Sequence, residues 1–261
     1  MGSYLGQNFL TNSKDKEYIK NKLLKSKEEV KRHNLIEIGP GKGAITKKIV
    51  DKIDNIILYE KDTNFQGILS NILHGSKHKL VFEDVLDANI DEHDQEDTYV
   101  FGNIPYYITS PILRKFFEKN NFIGGFFLIQ KEVGDKIKSD ANKKSYLRWI
   151  LNNNYFIKYK KTVPAKSFSP KPKVDSCLVQ LNKKPAPEVN DHDSLINLLE
   201  LISGYKRKTI GKIIKLLEKK DKFIKVDLPE DIKNKRLEEL SWEEIKKIIY
   251  LVSKKNENIQ N

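Results

Sequence analysis

The sequence predicts an α/β fold built on a mostly parallel sheet, followed by a small domain made only of helices. Over residues 34–130, short apolar runs alternate with amphipathic segments, which is typical of parallel strands covered by helices on both faces. Beyond residue 192 the apolar positions instead recur at helical spacing. At 261 residues, the chain is long enough for one large domain and a smaller one.

Five apolar runs bounded by turn residues are the predicted strands. They are NLIEIG (34–39), NIILYE (55–60), KLVFED (79–84), TYVFGN (98–103) and GGFFLIQ (124–130). The predicted helices between them are the amphipathic or lysine-rich segments 43–52, 62–74 and 109–119. CLVQL (177–181) is predicted to add a late strand, for which an antiparallel direction is open.

A proline-rich, charged segment, KKPAPEVND (183–191), predicts a boundary between a domain of residues 1–185 and a helical domain of residues 186–261. In the second domain four apolar residues fall on one helical stripe, namely Ile210, Ile213, Ile214 and Leu217. The run SWEE (241–244) predicts a helix start with a capping box between Ser241 and Glu244.

The charge of the chain is high and unevenly distributed. The net charge is +12 with a pI near 9.4. Residues 1–154 carry 24 basic and 21 acidic side chains, and residues 155–261 carry 24 and 15, so the second part supplies +9. This excess favours a polyanionic partner, nucleic acid before an acidic membrane surface, although a lysine-rich composition without binding meaning stays open.

Cysteine content indicates a reducing compartment, and hydropathy gives no sign of a membrane span. Cys177 is the single cysteine, which excludes an intrachain disulfide. No apolar run approaches the roughly 20 residues needed to span a bilayer. MGSYLGQNFL has neither the cationic nor the apolar region of a signal peptide. We therefore expect a cytoplasmic protein without membrane attachment.

A glycine-rich turn follows the first predicted strand in EIGPGKG (37–43). Its glycines let the backbone approach a ligand closely, but dinucleotide dehydrogenases use nearly the same device, and a tight turn without a ligand is also possible. Glu60 ends the next strand and can accept hydrogen bonds from ribose hydroxyls, which a nicotinamide or a methionine nucleoside would equally offer. Asp84 ends the third strand, where it can meet an adenine amino group.

The fourth predicted strand ends in the motif NIPY, which consists of Asn103, Ile104, Pro105 and Tyr106. The exocyclic amine of adenine is a poor nucleophile because its lone pair is delocalised into the ring. An asparagine oxygen and a backbone carbonyl can accept its two hydrogens, while Pro105 stiffens the turn and Tyr106 offers a face for stacking. At this place the motif favours an amine methyltransferase over a dehydrogenase.

Read in order, several motifs resemble the ribosomal RNA adenine dimethyltransferase family, of the KsgA type that acts on the small subunit. They are LGQNFL, EIGPGKGAIT, YEKD, EDVLD, NIPYYITSPIL, QKEV, FSPKPKVDS and YKRKTI, which together run from about Leu5 to at least Leu240. The resemblance implies a Rossmann-like methyltransferase domain that uses S-adenosyl-L-methionine, with a helical C-terminal domain that recognises RNA.

The resemblance also implies roles for single residues. The cofactor would be lined by Asn8, Leu10, Gly39, Gly41, Glu60, Asp84 and Asn103. Tyr106 and Phe168 would sandwich the target base, with Ile104 and Pro105 completing the catalytic motif. No metal site is expected, because the five histidines show no ligand spacing with Cys177.

Two basic segments are candidates for binding RNA. The loop 163–176 interleaves Lys166, Lys171 and Lys173 with Phe168 and prolines, and a later segment contains Lys206, Arg207 and Lys208. A solvated loop and a solvated helix face are the alternatives. The chain reads YLRWI at 146–150 where the family usually has YGRLS, which leaves substrate placement open.

The expected activity is dimethylation of the 6-amino group of two adjacent adenosines near the 3′ end of small-subunit ribosomal RNA. The expected partner is that RNA within a pre-ribosomal particle, bound by a monomer. Two alternatives stay open: a large-subunit methyltransferase that confers macrolide resistance, and a non-catalytic assembly or transcription factor with the same fold.

Overall fold

The computed structural model describes residues 7–30, 34–75, 77–93, 97–118, 122–138, 145–205, 207–220 and 226–260. The strands in these ranges are β1 (Phe9–Leu10), β2 (Asn34–Ile38), β3 (Asn55–Glu60), β4 (Lys79–Phe82), β5 (Thr98–Asn103), β6 (Gly124–Gln130), β7 (Tyr155–Val163), β8 (Phe168–Ser169) and β9 (Ser176–Lys183). The α-helices are α1 (Ser13–Val30), α2 (Thr46–Ile49), α3 (Gln66–Ile72), α4 (Thr109–Phe117), α5 (Lys131–Ile137), α6 (Tyr146–Asn154), α7 (His192–Ser203), α8 (Ile210–Glu218), α9 (Glu230–Lys233) and α10 (Trp242–Gln260).

Seven strands form the central sheet, in the order β4-β3-β2-β5-β6-β9-β7. The first five are parallel to one another, and β9 runs antiparallel to both β6 and β7. All five predicted strands and the late antiparallel strand are therefore confirmed. Edge strand β7 lies outside the prediction, because Lys158, Lys160 and Lys161 interrupt its apolar pattern.

The predicted helices between the strands are present but shorter than expected. Segment 43–52 contains α2 and one 3₁₀ turn, 62–74 contains a 3₁₀ turn and α3, and 109–119 contains α4. Helices α1, α5 and α6 lie outside the predicted elements. The sheet is covered on both faces, since one apolar cluster packs α4 and α5 against it and a second packs α1, α2 and α3.

Helices α7 to α10 surround a third apolar core, which also contains Trp149 and Ile150 from α6. The Trp149 ring packs edge-to-face on Trp242 with centroids 4.6 Å apart, and its indole N–H donates to the Leu237 carbonyl oxygen at 3.3 Å. The departure from the family pattern at 146–150 thus places large side chains in this core. The boundary at residue 185 stays a prediction, because the C-terminal core reaches back into α6.

Two local predictions for the C-terminal helices are confirmed. The stripe Ile210, Ile213, Ile214 and Leu217 is buried in α8. The Glu244 backbone N–H donates to the Ser241 hydroxyl oxygen at 3.2 Å, and the Ser241 N–H donates to the Glu244 carboxylate at 2.8 Å, which makes a capping box. Among the described residues, the helices are too short or too polar for one to cross a bilayer.

Candidate active site

A cleft opens at the edge of the sheet where the parallel strands end. It is lined at these strand ends by Gly39, Gly41, Glu60, Asp84 and Asn103, and on its other walls by Asn8, Phe9, Ile104, Pro105, Tyr106, Tyr107 and Phe168. Leu10 instead lines an adjoining cavity, which shares Phe9, Gly39 and Asn103 with the cleft. The fold therefore gathers the predicted small-molecule and base-binding residues around one space and its annex.

The glycine turn after β2 adopts a conformation that side chains disfavour. Gly39 and Gly41 have φ values of 63° and 53°, in the left-handed region. A Cβ on Gly41 would lie 2.9 Å from the Phe9 ring, so this glycine lets Phe9 approach the turn. A Cβ on Gly39 would meet nothing within 4 Å, so the absence of a side chain keeps this part of the cleft open for a ligand.

Glu60 is buried at the end of β3, and its carboxylate is held by two backbone donors. The Gly41 N–H donates to Oε2 and the Asp62 N–H donates to Oε1, each at 2.9 Å. Burial raises the pKa of this carboxyl group, and the two backbone hydrogen bonds oppose that shift. Because a carboxylate offers about four lone-pair positions, each oxygen retains capacity for another donor.

Asp84 follows β4 and lines the cleft with both carboxylate oxygens engaged. Leu86 N–H donates to Oδ1 at 2.9 Å, and the Lys61 ammonium pairs with Oδ2 at 2.8 Å. Burial alone would raise the pKa of Asp84, but these two partners outweigh it and the net direction is downward. Sequence reasoning did not assign a role to Lys61, although it immediately follows Glu60 in the YEKD motif.

Asn103 ends β5 and lines both the cleft and its annex. Its amide Nδ2 donates to the Asn8 backbone carbonyl at 2.8 Å. Since the amide nitrogen is committed in this way, Oδ1 is the atom left to accept a hydrogen bond from a ligand. Asn8 therefore acts through its backbone, as an anchor for Asn103.

Tyr106 is half-buried, and its hydroxyl shares a 2.8 Å hydrogen bond with the Ser176 hydroxyl. Burial raises the pKa of the Tyr106 phenol, so the ring is neutral at physiological pH. Phe168 lines the same cleft and is otherwise buried. The predicted aromatic pair thus borders one space, held from β9 on one side and from β8 on the other.

A two-stranded ribbon connects the N-terminal segment to the loop that contains Phe168. In it, β1 pairs antiparallel with β8, and Leu10 lies opposite Phe168. Buried Asp15 stabilises this ribbon. Its carboxylate accepts hydrogen bonds from the Ser167 hydroxyl, next to β8, and from the Lys161 ammonium, both at 2.6 Å. The ribbon therefore holds both the N-terminal wall of the cleft and Phe168.

Glu37 is a buried acid that sequence reasoning left without a role. It accepts a 2.8 Å hydrogen bond from the Thr46 hydroxyl, and burial raises its pKa to about 7. It borders the annex cavity together with Lys16, Lys42 and Lys47. Its place in the EIGPG motif, inside an apolar strand, was the available signal.

The predicted RNA-binding lysines occupy exposed positions where they are described. Lys166, Lys171, Lys173, Arg207 and Lys208 are all exposed, and Lys206 lies outside the described residues. The prediction of a basic helix here is wrong for Arg207 and Lys208, which lie in the connection between α7 and α8. Arg207 has a left-handed φ of 71°, a conformation that costs roughly 1–2 kcal/mol for a residue other than glycine. Among the described residues, no group of three or more His, Cys, Asp or Glu side chains is placed to share a metal ion.

Comparison with protein families relates the whole chain to one of them. A family model described as "Ribosomal RNA adenine dimethylase" matches residues 2–249. The ribosomal RNA small subunit methyltransferase A of Mycoplasmopsis synoviae is 31% identical, over 92% of this chain and 93% of the relative. The protein of that name from Mycoplasma capricolum is 30% identical, over 95% of this chain and 96% of the relative.

Solved structures share the fold over nearly the full length. A dimethyladenosine transferase from Plasmodium falciparum has a TM-score of 0.75 at 23% identity, covering 95% of this chain and 98% of the other. The 23S rRNA methyltransferase ErmE has a TM-score of 0.69 at 20% identity, covering 94% and 100%. The α/β core and the C-terminal helices are thus a combination found in other structures.

Proposed function

The chain belongs to the ribosomal RNA adenine dimethylase family, and from this premise we propose that adenine is methylated in the cleft at the carboxyl edge of its sheet. The protein is an S-adenosylmethionine-dependent methyltransferase that dimethylates adenine in small-subunit ribosomal RNA. The observation that carries the assignment of the site is the Asn103 amide, whose nitrogen is tied to Asn8 and whose oxygen is left for an amine.

The residues of the cleft fit the cofactor. Open space beside Gly39 leaves room for its methionine portion, and the Leu10 annex continues from there. Glu60 would accept hydrogen bonds from the ribose hydroxyls, and Asp84 would accept one from the adenine amino group. When bound, S-adenosylmethionine supplies an electrophilic methyl group on a sulfonium, so the protein needs no nucleophile of its own.

The chain's contribution to chemistry is to hold the target amine in the right geometry. Asn103 Oδ1 and a backbone carbonyl of the NIPY turn would accept the two amine hydrogens, which favours a pyramidal nitrogen with an available lone pair. Tyr106 and Phe168 would stack on the two faces of the extruded base. Pro105, with φ of −53°, restricts the turn that connects Asn103 to Tyr106.

The finer assignments extend this proposal. The substrate would be two adjacent adenosines near the RNA 3′ end, presented within a pre-ribosomal particle to a monomeric enzyme in the cytoplasm. Exposed Lys166, Lys171 and Lys173 beside Phe168 support an RNA contact next to the cleft. The C-terminal helices would recognise RNA through the basic segment at 206–208.

The large-subunit alternative rests only on ErmE, a 23S rRNA methyltransferase that shares the fold at 20% identity. The two curated relatives described above, at 31% and 30% identity, are named for the small subunit, which favours the first candidate. To decide, the chain is incubated with S-adenosylmethionine labelled at the methyl group and with each purified, undermethylated ribosomal subunit. Label in adenines of the small subunit alone supports the proposal, and label in the large subunit alone contradicts it.

Glu60→Ala is expected to weaken cofactor binding by roughly 1–3 kcal/mol, or about 5- to 150-fold in Kd. The variant removes an acceptor for the ribose and leaves the Gly41 and Asp62 N–H groups unpaired. Calorimetry with S-adenosylhomocysteine measures the loss. Glu83→Ala, an exposed acid on the same cleft rim, is the control and should bind within about twofold of the parent chain. If the parent chain and both variants had equal Kd values, Glu60 would not be a cofactor-binding residue.

Neutralising Lys206, Arg207 and Lys208 together to Gln is expected to weaken RNA binding and to flatten its salt dependence. Each lost phosphate contact should reduce the slope of log K against log salt by up to about one unit. Binding is measured across a salt series. The charge-matched control replaces Lys52, Lys77 and Lys79. These exposed residues lie near the amino ends of β3 and β4, away from the cleft, and their loss should leave the slope unchanged. An unchanged slope in the first variant would make segment 206–208 a solvated surface.

A further inference from the structure

Two adjacent tyrosines at the NIPY turn point in different directions. Tyr106 is half-buried and bonded to Ser176, whereas the Tyr107 side chain is 67% exposed. Both nevertheless line the cleft, so Tyr107 forms part of its mouth. The function proposed above uses Tyr106 and leaves Tyr107 without a role.

The exposure of Tyr107 is unusual for its position in the molecule. Among the described residues the exposed large hydrophobic side chains are Ile68, Tyr107, Phe156, Val174 and Tyr250. Of these, Tyr107 is the one that lines the cleft. An aromatic ring left in water at the mouth of a binding site has apolar surface available to a ligand.

The backbone beneath Tyr107 is held firmly. Residues Tyr106–Ile108 form a 3₁₀ turn that leads directly into α4, and the Ile108 N–H donates to the Pro105 carbonyl at 3.2 Å. The Thr109 hydroxyl donates to the same carbonyl at 3.4 Å. Presenting the ring from this turn reduces the conformational entropy that a ligand would have to offset.

A lysine, Lys61, lines the same cleft as Tyr107. The Lys61 side chain is 60% exposed. The Lys61 ammonium pairs with the Asp84 carboxylate at 2.8 Å, and this partner is the main cause of the raised pKa of the Lys61 amine. Because Asp84 balances the charge of Lys61, the ring of Tyr107 is the group here that suits a nucleotide base.

The chemistry of the substrate explains why such a platform is needed. An adenine that enters the cleft leaves its place in the base stack, and its neighbour in the RNA then loses a stacking partner. A protein aromatic can replace that partner, and each stacked base contributes about 1–3 kcal/mol. Tyr106 and Phe168 are already assigned to the target base, so the neighbour requires another ring.

On the basis of the proposed function, we infer that Tyr107 stacks on the base next to the target adenosine and so positions the RNA at the cleft mouth. It is a positioning residue and touches neither the methyl donor nor the reacting amine. The expected consequence of its loss is weaker productive binding of RNA, with unchanged cofactor binding.

The test measures methylation of undermethylated small subunits by Tyr107→Ala. We expect kcat/KM to fall roughly 5- to 150-fold, the range that corresponds to one stacked base. The affinity for S-adenosylhomocysteine and the salt slope of RNA binding should stay as in the parent chain, because a stacked ring releases no counterions. Tyr107→Phe keeps the ring and should retain the rate within about threefold. Tyr250→Ala, a tyrosine 62% exposed on α10, is the matched control and should stay within about twofold.

Subunits reassembled with RNA that lacks the base beside the target give a second readout. If Tyr107 stacks on that base, removing both the base and the ring should lower kcat/KM for methylation no more than removing either one alone. The inference is wrong if the two losses are fully additive, or if Tyr107→Ala methylates at the rate of the parent chain. It is also wrong if Tyr107→Ala loses as much cofactor affinity as methylation rate. In each case the proposed function still stands. If the parent chain methylates neither subunit, the inference and the proposed function are both wrong.

Discussion

Asn103→Ala should reduce methyl transfer by about 10²–10³-fold, the scale of one lost hydrogen-bonding partner in a transition state. In the proposed function the amide oxygen is the side-chain acceptor for the target amine, and the 2.8 Å hydrogen bond from Nδ2 to the Asn8 carbonyl orients the amide. Single-turnover assays with saturating cofactor and small subunits measure the methylation step itself.

RNA affinity of this variant should change little, because the lost interaction forms with a base already held by aromatic rings. Asn190→Ala, an exposed asparagine between β9 and α7, provides the matched control and should methylate at the parent rate. Asn103→Asp keeps an acceptor oxygen but cannot donate to Asn8, so its rate separates the acceptor from the anchor. Full turnover by Asn103→Ala would show that the NIPY turn has been assigned wrongly.

Trp149→Ala should lower the free energy of unfolding by about 3–5 kcal/mol, the usual cost of removing a large buried aromatic ring. Trp149 is 1% exposed, and its ring packs edge-to-face on Trp242. The variant leaves a cavity where α6 meets the C-terminal helices and removes the donor to the Leu237 carbonyl. Urea denaturation followed by circular dichroism gives the change.

Trp149→Phe is the informative companion, because it retains a ring and loses the indole N–H. Its cost should be clearly smaller than that of the alanine variant. Tyr250→Ala removes an exposed aromatic from α10 and should cost less than about 0.5 kcal/mol. A loss below about 1 kcal/mol in Trp149→Ala would mean that the junction between α6 and the C-terminal helices is loosely packed.

The sequence predicts the sheet well, because parallel strands buried on both faces appear as continuous apolar runs. It also predicts that Gly39, Glu60, Asp84 and Asn103 lie at one edge of the sheet, since each ends or follows a parallel strand, and the structure places all four along one cleft. Edge strand β7 is not predicted, because one side of it faces water and its three lysines break its apolar pattern.

Contacts between distant residues are what the sequence does not reveal. Asn103 and Asn8 are 95 positions apart, and Asp15 and Ser167 are 152 apart. A polar residue near a helix start is also ambiguous, because Asp15 resembles an ordinary solvated acid at the first turn of α1. The two tyrosines of the NIPYY run are equivalent in sequence, and only the 3₁₀ turn determines that Tyr106 is inward and Tyr107 outward.

The contact between Trp149 and Trp242 also determines what tryptophan fluorescence reports about this protein. They are the two tryptophans of the chain, their rings are 4.6 Å apart, and neither lines the cleft. Emission excited at the red edge of the absorption band, where tyrosine is transparent, therefore arises from the seam between α6 and α10. A shift of that emission to longer wavelength would register water entering the seam. Ligands that fill the cleft without moving α6 should leave the spectrum unchanged, so the native chain carries an intrinsic optical probe of its C-terminal helices.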